Sequence, residues 1–268
     1  MERRLALMAG AGTLPGHAAR EARRQGWEVV AFAFGDAPGL AEAADLVVTS
    51  RLTEIQAVFE ELQQRRYGAA LFAGKFWKRE AFEHYDAADA LGRTMARDGL
   101  SDRALAEMVV SVLQGLGLEA LDQRRFLAPW LIEARQLAPR APSEAEWAEI
   151  RSGLALARRL AEDGIGQTIV RARGVTVAVE AVEGTDAAIR RGTALAGVGA
   201  VVTKAVAARH DYRFDVPAIG PATLRAMRDG GATALGVERG KVLLVDTEET
   251  IRLAAEAGIA VVSVEGDG

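Results

Sequence analysis

The chain has 268 residues, 50% of them hydrophobic and 26% charged, with a formal net charge of −4. Such a length leaves room for two domains with separate cores, the composition excludes a disordered chain, and an acidic balance without a Lys/Arg block offers nucleic acid no field. Cysteine is absent and histidine is limited to His17, His84 and His210, so thiolate chemistry is excluded and carboxylates must carry any metal chemistry.

Basic residues at Arg3 and Arg4 precede an apolar run from Leu5 that breaks at Gly10 and Gly12. The run is too short for a secretory signal, and no apolar stretch approaches the roughly 18–20 residues of a membrane span. The expectation is a cytoplasmic protein. Leu5 to Ala9 reads as a buried strand, Gly10 to Thr13 as a tight turn and Leu14 to Gln25 as a helix ended by Gly26. Strands follow at Glu28 to Ala33, Leu46 to Val48 and Ala69 to Ala73, with a helix from Thr53 to Gln64 between them. A further helix runs from Asp102 to Gly115. Strands alternating with helices predict a Rossmann-like first domain with a parallel sheet covered on both faces.

Pro129, Pro139 and Pro142 interrupt regular structure, so residues 1–130 are assigned to the first domain, 131–142 to a linker and 143–268 to a second α/β domain. Ser143 with Glu146 three residues later is a capping box, opening a helix through Ala161. Beyond it, strands are expected at Thr168 to Arg171, Val175 to Ala181, Ala200 to Lys204, Val216 to Ile219, Lys241 to Val245 and Ala260 to Val264. Helices are expected at Asp186 to Leu195, Pro221 to Asp229 and Glu248 to Ala257. Two α/β domains imply a cleft, where the active site is expected.

Ala9-Gly10-Ala11-Gly12-Thr13-Leu14-Pro15 follows a strand and opens a helix, the setting in which glycines admit a phosphate to the helix N-terminus; they can equally serve only to make the turn. Pro15 stands where a dinucleotide fingerprint needs its third glycine. Gly74 and Lys75 end a strand on the edge where open α/β sheets bind ligands, although a solvated lysine also fits that place. Asp98 and Asp102 read as helix caps or as site acids. Glu180, Glu183 and Asp186 gather at one strand end, oxygen donors of the kind Mg²⁺ takes, with Asp186 also suited to cap a helix. Lys204 closes an apolar strand, and Asp215 lies beside apolar residues where it needs a counter-charge from Lys204, Arg213 or a metal; a structural salt bridge explains the same pattern.

Together these segments resemble the LpxI-type UDP-2,3-diacylglucosamine pyrophosphatases along essentially the whole chain. The matching stretches are Ala9 to Pro15, Ala73-Gly74-Lys75, Ile165-Gly166-Gln167 and Ala178 to Asp186. The most specific is Lys204 followed by Asp211, Arg213, Asp215, Pro217, Ile219, Gly220 and Thr223. The resemblance implies Mg²⁺-dependent hydrolysis of UDP-2,3-diacylglucosamine to UMP and 2,3-diacylglucosamine 1-phosphate, lipid X, in lipid A biosynthesis. It implies a substrate held between two domains, with Asp215 catalytic through the metal or the attacking water, Lys204 and Asp186 beside it, and Glu183 as a second metal ligand. Substrate contacts are implied for Gly10, Gly12, Thr13, Leu14, Pro15, Gly74, Lys75, Asp102, Gln167, Gly184, Thr185, Arg213 and Thr223. It further implies transient contact with the inner membrane face and leaves a homodimer open. Ser101 departs from the family's adjacent aspartates, which puts a two-carboxylate role for that loop in doubt. Two other readings compete: an NAD-dependent oxidoreductase, from the glycine turn, and a non-catalytic sugar-nucleotide sensor, from the cleft.

Overall fold

The computed structural model describes residues 3–51, 55–76 and 102–266. They divide into two compact units, one of residues 1–128 with 211–215, the other of residues 129–210 with 216–268.

The first unit holds β1 (Arg4–Ala9), α1 (Leu14–Arg24), β2 (Glu28–Ala33), α2 (Leu40–Ala43), β3 (Leu46–Thr49), α3 (Ile55–Gln64), β4 (Ala69–Ala73), α4 (Asp102–Gly115), β5 (Glu119–Ala120) and α5 (Arg124–Leu127). Its sheet is ordered β3-β2-β1-β4-β5, and every pairing is parallel. Parallel strands are covered on both faces, which is why β1 reads as an unbroken apolar run and buries all of Leu5 to Ala9. Small residues Ala18, Ala19 and Ala22 form the buried side of α1. Met8, Phe32, Val58, Leu62 and Leu113 belong to one core cluster, and each such side chain contributes about 1.5–3 kcal/mol by leaving water.

The second unit holds α6 (Glu144–Glu162), β6 (Thr168–Ala172), β7 (Val175–Val179), α7 (Thr185–Ala196), β8 (Ala200–Lys204), β9 (Ala218–Ile219), α8 (Pro221–Asp229), β10 (Ala232–Glu238), β11 (Leu243–Leu244), α9 (Thr247–Glu256) and β12 (Ala260–Val264). The main sheet runs β12-β10-β8-β6-β7, with β8, β10 and β12 parallel and β6 antiparallel to both neighbours. Arg173 and Gly174 both take positive φ, the backbone a two-residue hairpin demands, and this turn reverses β6 into β7. Successive strand residues face opposite sides: Val170, Val202, Leu235 and Val261 enter one core with Ile189 and Leu224. Ile169, Val201, Ala234 and Ala260 enter the other with Ile150 and Leu154.

The order of elements bears out the α/β reading, with the short elements α2, β5 and α5 added and two strand readings changed. The central strand β10 is missing from the sequence reading because small residues, Ala232, Ala234 and Gly236, alternate with Thr233, Leu235 and Val237 and weaken its strand signal. Its Gly236 has a packing reason, since a Cβ there would lie 2.5 Å from Ile150 Cγ2 on α6. The strands expected at Val216 to Ile219 and Lys241 to Val245 shrink to a two-residue parallel pair. No helix among the described residues is long and apolar enough to cross a membrane.

The proline-marked segment 131–142 is tied along its length to the second unit. Ile132 and Leu137 N–H groups donate to Val242 and Val261 carbonyls, both at 2.9 Å. Arg140 donates to the Gly258 carbonyl at 2.6 Å, to the Thr233 carbonyl, and to both Glu146 oxygens at 2.7 and 2.9 Å. Glu146 also completes the expected capping box with Ser143, whose N–H reaches it at 2.7 Å. Burial pushes the Glu146 carboxyl up, but the bonds from Arg140, Thr233 and the Ser143 amide outweigh it and hold the pKa at about 2.

A carboxyl held below its ordinary range stabilises the fold above the unfolded pKa and stops doing so as pH falls through the folded one. Glu146→Gln is therefore expected to lower stability by about 1–3 kcal/mol at neutral pH. The deficit relative to wild type shrinks as pH falls from about 4.5 towards about 2. Urea unfolding at pH 7 and pH 3 measures both, and a deficit independent of pH counts against the pair.

Candidate active site

In the first unit the carboxyl ends of β1, β2 and β4 meet around the glycine turn. Gly10 N–H donates to the Ala73 carbonyl (2.8 Å), Ala11 N–H to Lys75 (2.9 Å) and Gly12 N–H to Asp36 (2.9 Å), while Lys75 N–H returns to Ala11 (2.8 Å). A Cβ on Gly10 would sit 2.6 Å from the Lys75 carbonyl oxygen, and Gly74, at φ +91°, would put one 2.8 Å from Pro15 Cγ. These glycines thus interlock two loops backbone to backbone. The Gly10, Ala11 and Gly12 amides are spent on carbonyls, which leaves an anion at this turn the first turn of α1, opened by Thr13, Leu14 and Pro15, the helix N-terminus named in the sequence reading. This weighs against a dinucleotide cradle as well. Asp98, Ser101 and His84 lie outside the described residues, and of Asp102 only the backbone, at the start of α4, is described.

The segment Asp211 to Asp215 belongs to this first unit although its flanking residues belong to the second. Phe214 packs on Phe72 with ring centroids 5.0 Å apart, and the Arg124 guanidinium lies 3.9 Å from the Tyr212 ring centroid. Gln123, only 3% exposed, gives its N–H to the Tyr212 carbonyl at 3.0 Å. Its amide, in the orientation that satisfies both ends, donates to the Phe72 carbonyl (3.2 Å) and accepts the Asp215 N–H (3.3 Å). Asp215 itself is exposed. Arg213 is held bidentately by Asp211 at 2.7 and 2.9 Å, so one of the three counter-charges foreseen for Asp215 serves Asp211. Hydrogen bonding to that carboxylate also raises the Arg213 pKa.

In the second unit the same edge logic collects Gln167 and Thr168 at the start of β6, Glu180 after β7, Thr185 at the start of α7 and Lys204 at the end of β8. Lys204 is 6% exposed, and its ammonium donates to Thr185 Oγ1 at 2.8 Å. Thr185 donates in turn to Glu180 Oε1 at 2.9 Å and lies 3.4 Å from Thr168 Oγ1. Glu180 Oε2 is buried without a hydrogen-bond partner among the described residues. Gly166 is required by this packing, because a Cβ would fall 2.1 Å from the Glu180 carbonyl oxygen. Gly184, at φ +82°, caps α7, and Asp186 in its first turn accepts from Thr223 Oγ1 of α8 at 3.4 Å.

The three carboxylates grouped by sequence part company. Glu183 pairs with Arg191 at 2.5 Å and accepts the Ala181 N–H at 3.1 Å; burial raises its pKa, but these bonds prevail and lower it. Glu180 faces Thr185, and Asp186 faces Thr223. Among the described residues no three His, Asp or Glu side chains gather to hold a metal ion. Sequence reading also missed Glu238. This fully buried carboxylate lies between Arg158 (2.9 Å) and Lys241 (3.3 Å) and takes the Val206 N–H at 2.7 Å, fixing the chain as it leaves β8. An acid at the end of a strand, flanked by an arginine and a lysine, was its only signal.

Comparison with known proteins gives the family. The model of the LpxI N-terminal domain matches residues 4–130, and that of the LpxI C-terminal domain matches residues 133–262. The chain belongs to the LpxI family. A relative from Caulobacter vibrioides, called UDP-2,3-diacylglucosamine pyrophosphatase LpxI, is 32% identical over 285 residues, covering 98% of each chain.

Two substitutions test the local architecture. Gly166→Ala, meeting a backbone oxygen, is expected to cost about 1–3 kcal/mol, read from thermal or urea unfolding. Gln123→Ala removes the acceptor of the Asp215 amide, so hydrogen exchange at that amide accelerates at least severalfold while amides of β6 and β8 keep their rates.

Proposed function

We propose that this LpxI-family chain is a hydrolase of the pyrophosphate bond of UDP-2,3-diacylglucosamine, yielding UMP and 2,3-diacylglucosamine 1-phosphate for lipid A biosynthesis. The observation that carries the reading is the similarity, from end to end, to a relative named for that pyrophosphatase activity. The side chains support it: a buried lysine ends β8, and an exposed carboxylate sits at Asp215.

In this reading water attacks one phosphorus, the bridging P–O bond breaks, and the leaving phosphate departs as an oxyanion. Lys204 neutralises part of that charge. Asp215 accepts a proton from the attacking water or holds the metal. Mg²⁺, when bound, neutralises pyrophosphate oxygens and polarises the phosphorus. The residues fit a cation shared with the substrate better than one caged by protein, since Mg²⁺ is commonly held by one or two carboxylates with waters and substrate phosphate. Asp215 suits that part by its exposure, whereas Glu183 is engaged by Arg191 and is withdrawn as a ligand.

UMP release from UDP-2,3-diacylglucosamine tests the proposal, with EDTA and Asp215→Asn as comparisons. Loss of turnover by about 100-fold or more in the variant, and loss on chelation restored by Mg²⁺, are expected. Release of UMP unaffected by the variant removes Asp215 from the reaction, and no release by folded wild-type protein overturns the reading.

A further inference from the structure

The arrangement around Lys204 carries an assignment that the family resemblance does not make. A hydroxyl has one proton to give and two lone pairs to receive. Thr185 gives its proton to Glu180 Oε1 (2.9 Å) and receives one from Lys204 Nζ (2.8 Å), with Thr168 Oγ1 at 3.4 Å as the other neighbour. Its capacity is filled by the protein. A direct substrate contact, as expected from sequence, would have to break one of these bonds.

We propose that Thr185 and Glu180 are positioning residues for Lys204, and that Lys204 alone of the three meets the phosphate of a nucleoside diphosphate ligand. The inference rests on the proposed reading of the site as one that takes a UDP group. A lysine side chain has four rotatable bonds, and fixing its ammonium in one place costs rotamer entropy of about 2 kcal/mol. Here burial of the stem and the bond to Thr185 have already fixed it, with 6% of the residue left exposed. An ammonium has three N–H donors, and the hydrogen bond made by Nζ among the described residues is the one to Thr185.

Glu180 supplies the second half of the device. The Thr185 proton is directed to Glu180 Oε1, which leaves a threonine lone pair facing the ammonium. The carboxylate also provides, through one intervening hydroxyl, the negative charge a buried cation needs when no ligand is bound. Its second oxygen is buried without a hydrogen-bond partner among the described residues. Gly166 preserves the arrangement by letting the chain ahead of β6 pass against the Glu180 backbone, 2.1 Å from where a Cβ would be.

The test is a double-mutant cycle read by calorimetric titration of the full-length protein with UDP. Lys204→Met and Thr185→Val are each expected to weaken UDP about tenfold or more, with Thr185→Ser close to wild type because it keeps the hydroxyl. The double variant is expected to bind no more weakly than Lys204→Met alone, since Thr185 acts through Lys204. Glu180→Gln, which keeps size and an acceptor, weakens binding less than Thr185→Val. Circular dichroism and melting confirm that each variant is folded. Losses that add in the double variant, an unchanged affinity in Thr185→Val, or the absence of saturable UDP binding by wild type would each overturn the assignment. Coupled losses in a protein that does not hydrolyse UDP-2,3-diacylglucosamine would keep the assignment and overturn the proposed reaction instead.

Discussion

A parallel sheet covered by helices on both faces has nowhere to put polar chemistry except its edges, and all strands of one direction end at the same edge. That constraint organises both units. In the first, β1, β2 and β4 deliver Gly10, Phe34 and Gly74 to one edge. In the second, β7, β8 and β10 end there with Glu180, Lys204 and Glu238, and antiparallel β6 begins there with Thr168. Residues scattered over seventy positions become neighbours with no long loop required to carry them. The buried strands then fix each polar group by register, so the Lys204 to Thr185 bond follows from the pairing of Thr168 with Lys204 and the start of α7 beyond β7.

Glycine is used in two ways that sequence alone does not separate. At the ends of β1 and β4, Gly10 and Gly74 admit the backbone of the other loop, and the amides of Gly10, Ala11 and Lys75 go to carbonyls across the contact. A phosphate cradle would use the same residue type for the same steric reason but leave the amides unspent. Only the hydrogen-bond account distinguishes them. Gly166 and Gly236 follow the first pattern, the one making room for the Glu180 carbonyl, the other for Ile150.

Much of the fold was legible because hydrophobic period and capping chemistry are local signals. The capping box at Ser143, the turn at Gly174 and the helix opening at Pro221 stand where the sequence placed them. Strand β10 escaped because its burial comes from its neighbours: Ala234 and Gly236 are small where α6 packs closely, and small residues carry little strand signal. The site was legible as residue types and not as partnerships. Glu183 looks like a ligand beside Glu180 and Asp186 until Arg191, one helix turn and more along α7, takes it. Arg213 likewise stands two residues from Asp215 but pairs with Asp211, equally two residues away on its other side, a choice that spacing does not reveal.

The segment Asp211 to Asp215 shows why the setting of a site acid is wider than its motif. Sequence assigns these residues to the second domain by position, yet their partners are Phe72, Gln123 and Arg124 of the first unit. Five residues can be held this way only if their side chains supply what a strand would otherwise give, and they do: one aromatic ring on Phe72, another under Arg124, and backbone bonds at both Tyr212 and Asp215 converging on Gln123. Gln123 is buried and its amide joins the Phe72 carbonyl to the Asp215 N–H, so the placement of the acid depends on the packing of β4 and of the loop after β5. A change at Phe72 or Gln123 therefore reaches Asp215 through packing and backbone bonds, leaving the motif around it intact.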